Sequence, residues 1–213
     1  MNRFPKETTL KRKFFQKQPK AKIYVLCEGK LTEPAYIKDF ANQYANDRVI
    51  VQPIPGVGVP LTVSQQAVEL KAELLREARK SKDSFNMSFS VWCIVDIDEH
   101  PNVLEAKQLA DANKIKFLVS NPCFELWGLL HLKAQDAHIH RHSLQSTLHK
   151  EMPTYHHKNN PIFDYDQIKD NYKTAKERAA TICNRRKEEG KTSGNPSTNV
   201  YELFECIIAN GKK

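Results

Sequence analysis

Two short apolar runs each stop at acidic residues, and this pattern constrains the chain more than any other feature. Ile23-Tyr24-Val25-Leu26-Cys27 ends in Glu28-Gly29, and the run over residues 89–95 ends in Asp96-Ile97-Asp98. Apolar runs of this length, without polar alternation, read as strands buried on both faces, the kind found in parallel sheets covered by helices. The intervening sequence supplies those helices. Thr32-Glu33-Pro34 starts one, because Thr caps well and Pro is tolerated in a first turn, and Tyr36, Ile37, Phe40 and Tyr44 give it an apolar face up to about Asn46. A strand over 49–52 and a Pro- and Gly-containing loop over 53–60 follow. Thr62-Val63-Ser64-Gln65 has capping-box spacing, and Ala67, Leu70, Leu74, Leu75 and Ala78 recur at helical intervals to Lys80. A helix over 103–112 and a strand over 115–119 continue the alternation, which predicts an α/β core built on a mostly parallel sheet.

Beyond Phe124 the pattern turns helical, with helices expected over 125–132, along Ile168, Tyr172, Ala175, Ala179 and Ile182, and over 201–209. The segment between about 133 and 161 reads as irregular. The chain therefore divides into a tail (1–22), an α/β core (23–132) and a mainly helical C-terminal extension (133–213). With 213 residues and 40% hydrophobic content it is long enough for a substantial core and is not a disordered polymer.

Charge is unevenly placed. The net charge is +8, and residues 1–22 hold eight Lys and Arg against Glu7 alone, so seven of the eight net charges sit in the tail. Such a tail holds polyanions electrostatically, nucleic acid first, or serves as a solvated arm. The five cysteines are odd in number, widely spaced and without a C-x-x-C pair, which points to reduced thiols in a cytoplasmic protein. No apolar run approaches the ~18 residues of a membrane span, so no membrane role is expected.

Asp96 and Asp98 alternate onto one side of the chain, roughly 6.5 Å apart, at the C-terminal end of their strand, and Glu28 ends its own strand in the same way. In open α/β sheets that end borders the ligand crevice. If the two strands are neighbours, three carboxylates converge, a cluster that a hard cation such as Mg2+ or Mn2+ neutralises while leaving room for water and phosphate. The competing reading makes Asp96 and Asp98 turn residues ahead of Pro101. Lys30 and Glu33 lie just past Glu28, where a turn feeding a helix can bind phosphate; equally, Glu33 complements the helix dipole and Lys30 is solvated. Glu99 and His100 support the cluster or start the next helix.

Four motifs in order make the pattern specific: Cys27-Glu28-Gly29-Lys30-Leu31-Thr32-Glu33-Pro34; Asp96-Ile97-Asp98-Glu99-His100; Ser120-Asn121-Pro122-Cys123-Phe124-Glu125-Leu126-Trp127 with Leu129-Leu130-His131; and Asn195-Pro196-Ser197-Thr198-Asn199-Val200. Together, over roughly 20–208, they resemble the RloB-like family. The resemblance implies a TOPRIM-like fold and a place in bacterial antiphage defence and abortive infection, often beside a partner ATPase. By motif position it implies that Glu28, Asp96 and Asp98 bind Mg2+ or Mn2+, with Glu28 also moving a proton during phosphodiester cleavage. Glu125, a carboxylate amid apolar neighbours, joins them as a fourth acidic candidate, with Lys30 assisting.

Two further groups stand out. Seven of the eight histidines fall between His131 and His157; His138, His140 and His142 alternate as strand neighbours do, and surface or structural roles compete with a metal or nucleic-acid role. Arg185-Arg186-Lys187 contact phosphates or complement the end of their helix. The expectation is a metal-dependent nuclease acting on DNA or on an RNA such as tRNA. The alternative is a non-catalytic or partner-activated subunit, whose ATP hydrolysis comes from elsewhere because the chain has no Walker A sequence. Homo-oligomerisation is left open.

Overall fold

The structure, a computed structural model, describes residues 21–46, 49–56, 58–81, 88–97, 100 and 102–211. The order of elements is β1 (Ala21–Cys27), α1 (Thr32–Tyr44), β2 (Val49–Ile54), α2 (Pro60–Ser81), β3 (Phe89–Asp96), α3 (Val103–Ala112), β4 (Lys116–Asn121), α4 (Glu125–Leu132), α5 (Arg141–Glu151), α6 (Tyr165–Ile168), a 3-10 turn (Lys169–Asn171), α7 (Tyr172–Glu188), β5 (Ser197–Thr198) and α8 (Tyr201–Gly211). The strands form one sheet in the order β2-β1-β3-β4-β5, with every pair parallel except β4 with β5. It is the expected α/β arrangement, a mostly parallel sheet flanked by helices with a helical C-terminal part.

Alternation along the strands separates two apolar layers. Ile23, Val25 and Cys27 of β1, Trp92 and Ile94 of β3 and Leu118 of β4 face a core shared with α1, α4, α5, α7 and α8. Leu26, Val91, Cys93, Val95, Phe117 and Val119 face the opposite layer, made with α2 and α3. Val25, Cys27, Cys93, Ile94 and Val95 are completely buried, which is why these strands show no polar alternation. Asp96 continues the Trp92, Ile94 side and so falls toward the larger layer.

The C-terminal helices complete that layer. Gly128 of α4 lies against the ring of Phe163, and a Cβ there would come within 2.6 Å of the ring, so close approach requires glycine. Phe163 in turn stacks on Phe124 with ring centroids 5.8 Å apart. His131 donates Nδ1–H to the Trp127 carbonyl (2.8 Å) and accepts the Tyr36 hydroxyl at Nε2 (3.0 Å), joining α4 to α1. Burial holds its pKa down at about 4, in keeping with a neutral core histidine.

Several expectations need correction. The stretch expected to be irregular contains α5, whose Leu144 and Leu148, with Met152 beyond, recur every four residues and are fully buried. His138, His140 and His142 are not strand neighbours: the first two lie in the loop before α5 and the third within it. α2 begins at Pro60, so Thr62 sits in its first turn instead of capping it. The helix expected along 168–182 is broken into α6, a 3-10 turn and α7. β5 is a two-residue strand that the sequence reading did not anticipate; the Asn199 side chain extends its pairing by accepting the Val119 N–H at 2.7 Å.

Candidate functional site

The C-terminal edge of the sheet is where the acidic side chains gather. Glu28 follows β1 directly and its N–H still continues the ladder to Ile94 of β3 (3.1 Å). Its carboxylate then reaches across to the neighbouring strand: Oε2 accepts the Asp96 N–H at 3.1 Å and Oε1 meets His100 Nε2 at 3.0 Å. The contact depends on β1 and β3 being neighbours, the condition that the sequence left open and the sheet order meets.

Asp96 is buried and doubly engaged. Oδ1 accepts the N–H of Phe124, at the start of α4, at 3.0 Å, where the positive end of the helix dipole favours a carboxylate. Oδ2 accepts Arg141 Nη2, from the first turn of α5, at 2.6 Å. Even so, burial raises the Asp96 pKa well above the ordinary carboxylate range; Glu33, Glu125 and Glu28 push the same way and Arg141 opposes them.

Glu33 arrives from the first turn of α1 and folds back onto the turn it follows. Its Oε1 accepts the Gly29 N–H at 3.2 Å, and a Cβ on residue 29 would come within 2.1 Å of Oε2. Glycine after Glu28 is therefore the residue that lets a second carboxylate in. Burial raises the Glu33 pKa to about 7, with Glu125 and Glu28 adding to the rise and backbone N–H bonds opposing it.

Glu125, in the first turn of α4, is buried but well solvated by protein. Its Oε1 accepts Tyr155 Oη–H at 2.7 Å, Gln145 Nε2–H at 3.1 Å and His157 Nδ1–H at 3.2 Å. Burial raises its pKa, but the bonds from His157, Cys123 and Tyr155 prevail and hold it at about 2. One edge thus holds a carboxylate kept ionised beside two carboxylates pushed toward their protonated forms, a contrast characteristic of functional sites.

Of the residues singled out from sequence, Glu28, Asp96 and Glu125 come together with Glu33, while Asp98 lies outside the described residues, as do Glu99 and tail residues 1–20. Lys30 stays beside Glu28 in the chain, its stem packed on Gly56 of the β2–α2 loop. Arg185 and Arg186 do not join the cluster: Arg185 pairs with Asp136, and Arg186 pairs with Glu189 at 3.1 Å. Lys187 lies with them in the last turn of α7. Sequence reasoning missed Arg141 and the donors Gln145 and Tyr155. The period-four spacing of Leu144, Leu148 and Met152 was the available signal, since it predicts the helix that aims Arg141 and Gln145 inward.

The donor set suits a hard cation: it is all carboxylate oxygen, largely buried, and carries more negative charge than Arg141 balances. Among the described residues no three His, Cys, Asp or Glu side chains are already arranged around one ion.

The family model for RloB-like proteins matches residues 23–207, nearly the whole chain. The chain belongs to the RloB-like family. All four acidic side chains of the edge, Arg141 and the Glu125 donors fall within this RloB-like region. Searches of curated proteins and of solved structures return no match. Among the described residues of this RloB-like chain, no helix is long and apolar enough to cross a membrane.

Proposed function

We propose that this RloB-like protein is a metal-dependent nuclease with a TOPRIM-like core, acting as an effector in antiphage defence. The observation that supports it most is the gathering of Glu28, Glu33, Asp96 and Glu125 at the C-terminal edge of a parallel sheet, the edge where open α/β folds bind ligands. Clustered buried carboxylates are unfavourable without a cation, and their persistence is explained by one.

Glu28 and Asp96, with Asp98 by motif position, would hold Mg2+ or Mn2+. When bound, the ion supplies positive charge to a phosphodiester and acidifies an attacking water. The chain's own residues do the rest. Glu28 sits where its carboxylate can take or return a proton, with His100 at 3.0 Å to share the charge. Arg141, held on the Asp96 carboxylate, presents a guanidinium suited to phosphate oxygens once that carboxylate turns to a cation. Glu125 stays anionic, fixed by three donors, and keeps α4 and α5 in register around the centre. The basic tail supplies non-specific attraction to the polyanion. DNA and RNA present the same phosphate chemistry, so the substrate class is DNA or an RNA such as tRNA.

The Arg141–Asp96 pair favours a second reading as well. An internal cation already on a metal-binding carboxylate makes a centre that stays silent until a partner, such as the ATPase of a defence complex, shifts α5. Incubating the wild type and the Glu28→Gln and Asp96→Asn variants with plasmid DNA and with total RNA, in Mg2+, Mn2+ or EDTA, tests both. Cleavage that needs the metal and both carboxylates supports the nuclease; cleavage retained in both variants contradicts it. Cleavage only after a partner is added supports the second reading.

A further inference from the structure

Next to the residues that bond Glu125 lies a pocket that the acidic centre does not use. It has a volume of about 300 Å3 and is formed by one face of α5, with His142, Gln145, Ser146 and His149, together with the 156–158 turn. That volume falls at the lower end of the ~300–1,000 Å3 typical of small-ligand pockets. Among the described residues no carboxylate lines it; Lys158 and four imidazoles do. Only one layer of side chains separates it from the site, because Gln145 and His157 both line the pocket and both bond Glu125.

The hydrogen bonds fix what these imidazoles offer in their neutral forms. His149 Nδ1 donates to the Tyr155 carbonyl at 2.6 Å and His157 Nδ1 donates to Glu125, so each keeps an accepting Nε2. His156 Nδ1 accepts the N–H groups of Lys158 (3.3 Å) and Asn159 (3.2 Å), which puts its proton on Nε2 as a donor. The His149 and His156 rings lie 5.6 Å apart at 77°, an edge-to-face pair on the pocket wall. A site for a bare anion needs donors alone. A transition-metal site needs three converging lone pairs, an arrangement absent among the described residues. Aromatic faces, mixed donors and acceptors, and an ammonium match a different ligand: a heterocyclic base with its phosphate.

We propose that this pocket binds one nucleotide of a single-stranded nucleic acid, base against the histidines and phosphate at Lys158, beside the acidic centre. The idea rests on the nuclease reading for its substrate, and it narrows that substrate to an unpaired segment, since a base held in a duplex cannot enter a pocket of this size. RNA and DNA single strands share this chemistry, and both belong in the test.

Binding of fluorescein-labelled eight-nucleotide RNA and DNA strands, followed by anisotropy in EDTA at a salt concentration that screens the tail, separates the pocket from catalysis. Two variants address it independently. Ser146→Trp fills the pocket from an exposed helix position, and the double variant His156→Ala/Lys158→Glu removes an aromatic face and reverses the charge. Each is expected to weaken single-strand binding at least tenfold, while Gln108→Ala, an exposed change on α3 in the opposite layer, binds like the wild type. Adenosine monophosphate should displace the strand at concentrations where inorganic phosphate does not. Binding within twofold of wild type in both pocket variants overturns the proposal, as does equal displacement by phosphate. Pocket-dependent binding without cleavage under any condition would count against the nuclease reading alone; cleavage with binding unchanged in the variants would count against the pocket alone.

Discussion

Arg141 Nη2 lies 2.6 Å from Asp96 Oδ2, so the buried acid that ends β3 is balanced by a cation from a helix that begins 45 residues later in the chain. The Arg141 side chain is one-third exposed and that of Asp96 only 12%, so the carboxylate has more to lose than the guanidinium if the pair is broken. This makes Arg141 an internal substitute for part of a cation's charge, and the energetics of the pair report on the site.

Arg141→Met should therefore destabilise the protein, by about 2–4 kcal/mol, because it strands a buried carboxylate among like charges. The double variant Arg141→Met/Asp96→Asn should recover most of that loss. Urea denaturation of the four proteins of this cycle measures the coupling. Additive losses would show that the pair contributes nothing.

Glu33 gives a pH signature. Its folded pKa of about 7 stands above the ordinary 4.5, so the native state prefers the protonated form. Below pH 4.5 both states are protonated and nothing is lost; as pH rises from 4.5 through 7, the folded state pays increasingly to ionise a buried group. At ~1.4 kcal/mol per unit the loss is on the order of 3 kcal/mol. Glu33→Gln should be more stable than the wild type at pH 8, with the gain fading as pH falls from 7 toward 4.5 and absent below that. Thermal melts across that range check it, and a variant less stable at pH 8 would contradict it.

Glu125 has the opposite sign. Its folded pKa of about 2 lies below the ordinary 4.5, so its stabilisation is present above pH 4.5 and disappears as pH falls toward 2. Tyr155→Phe removes the shortest of its side-chain donors and should cost about 1.5–3 kcal/mol at pH 7. The penalty should shrink in acid. Equal penalties at pH 7 and pH 3 would show that the cost is packing and not the charged hydrogen bond.

Gly128→Ala places a methyl within 2.6 Å of the Phe163 ring, which is held by its stack on Phe124, and should cost about 1–3 kcal/mol. Denaturant midpoints measure it. Phe163→Leu in the same background should relieve part of the strain, and an unaffected Gly128→Ala protein would mean that the ring moves freely.

How much of this was legible beforehand varies with the kind of residue. The β1 and β3 runs were readable because burial on both faces removes polar alternation, and each ends on its acid because the chain leaves the sheet there. Glu28 and Asp96 followed directly, and their contact needed only that the two strands be neighbours. Arg141 was not readable in the same way. Its partner lies far away in sequence, and α5 is short and mostly polar, with a stripe of Leu144, Leu148 and Met152 too narrow to stand out among the histidines. The donors to Glu125 share that difficulty, since Tyr155 and His157 sit in a turn whose course is set by tertiary packing. The triple histidine alternation misled because period two has meaning only in a strand, and there the chain passes from loop into helix.

The central claim is that the carboxylates at this edge are gathered to hold a divalent cation. Calorimetric titration of Mn2+ into the purified wild type and Asp96→Asn, matched by melting curves to confirm that both are folded, tests it most directly. The account predicts saturable binding to the wild type and at least tenfold weaker binding to Asp96→Asn. No saturable binding to the wild type, or equal binding to the two proteins, would contradict it.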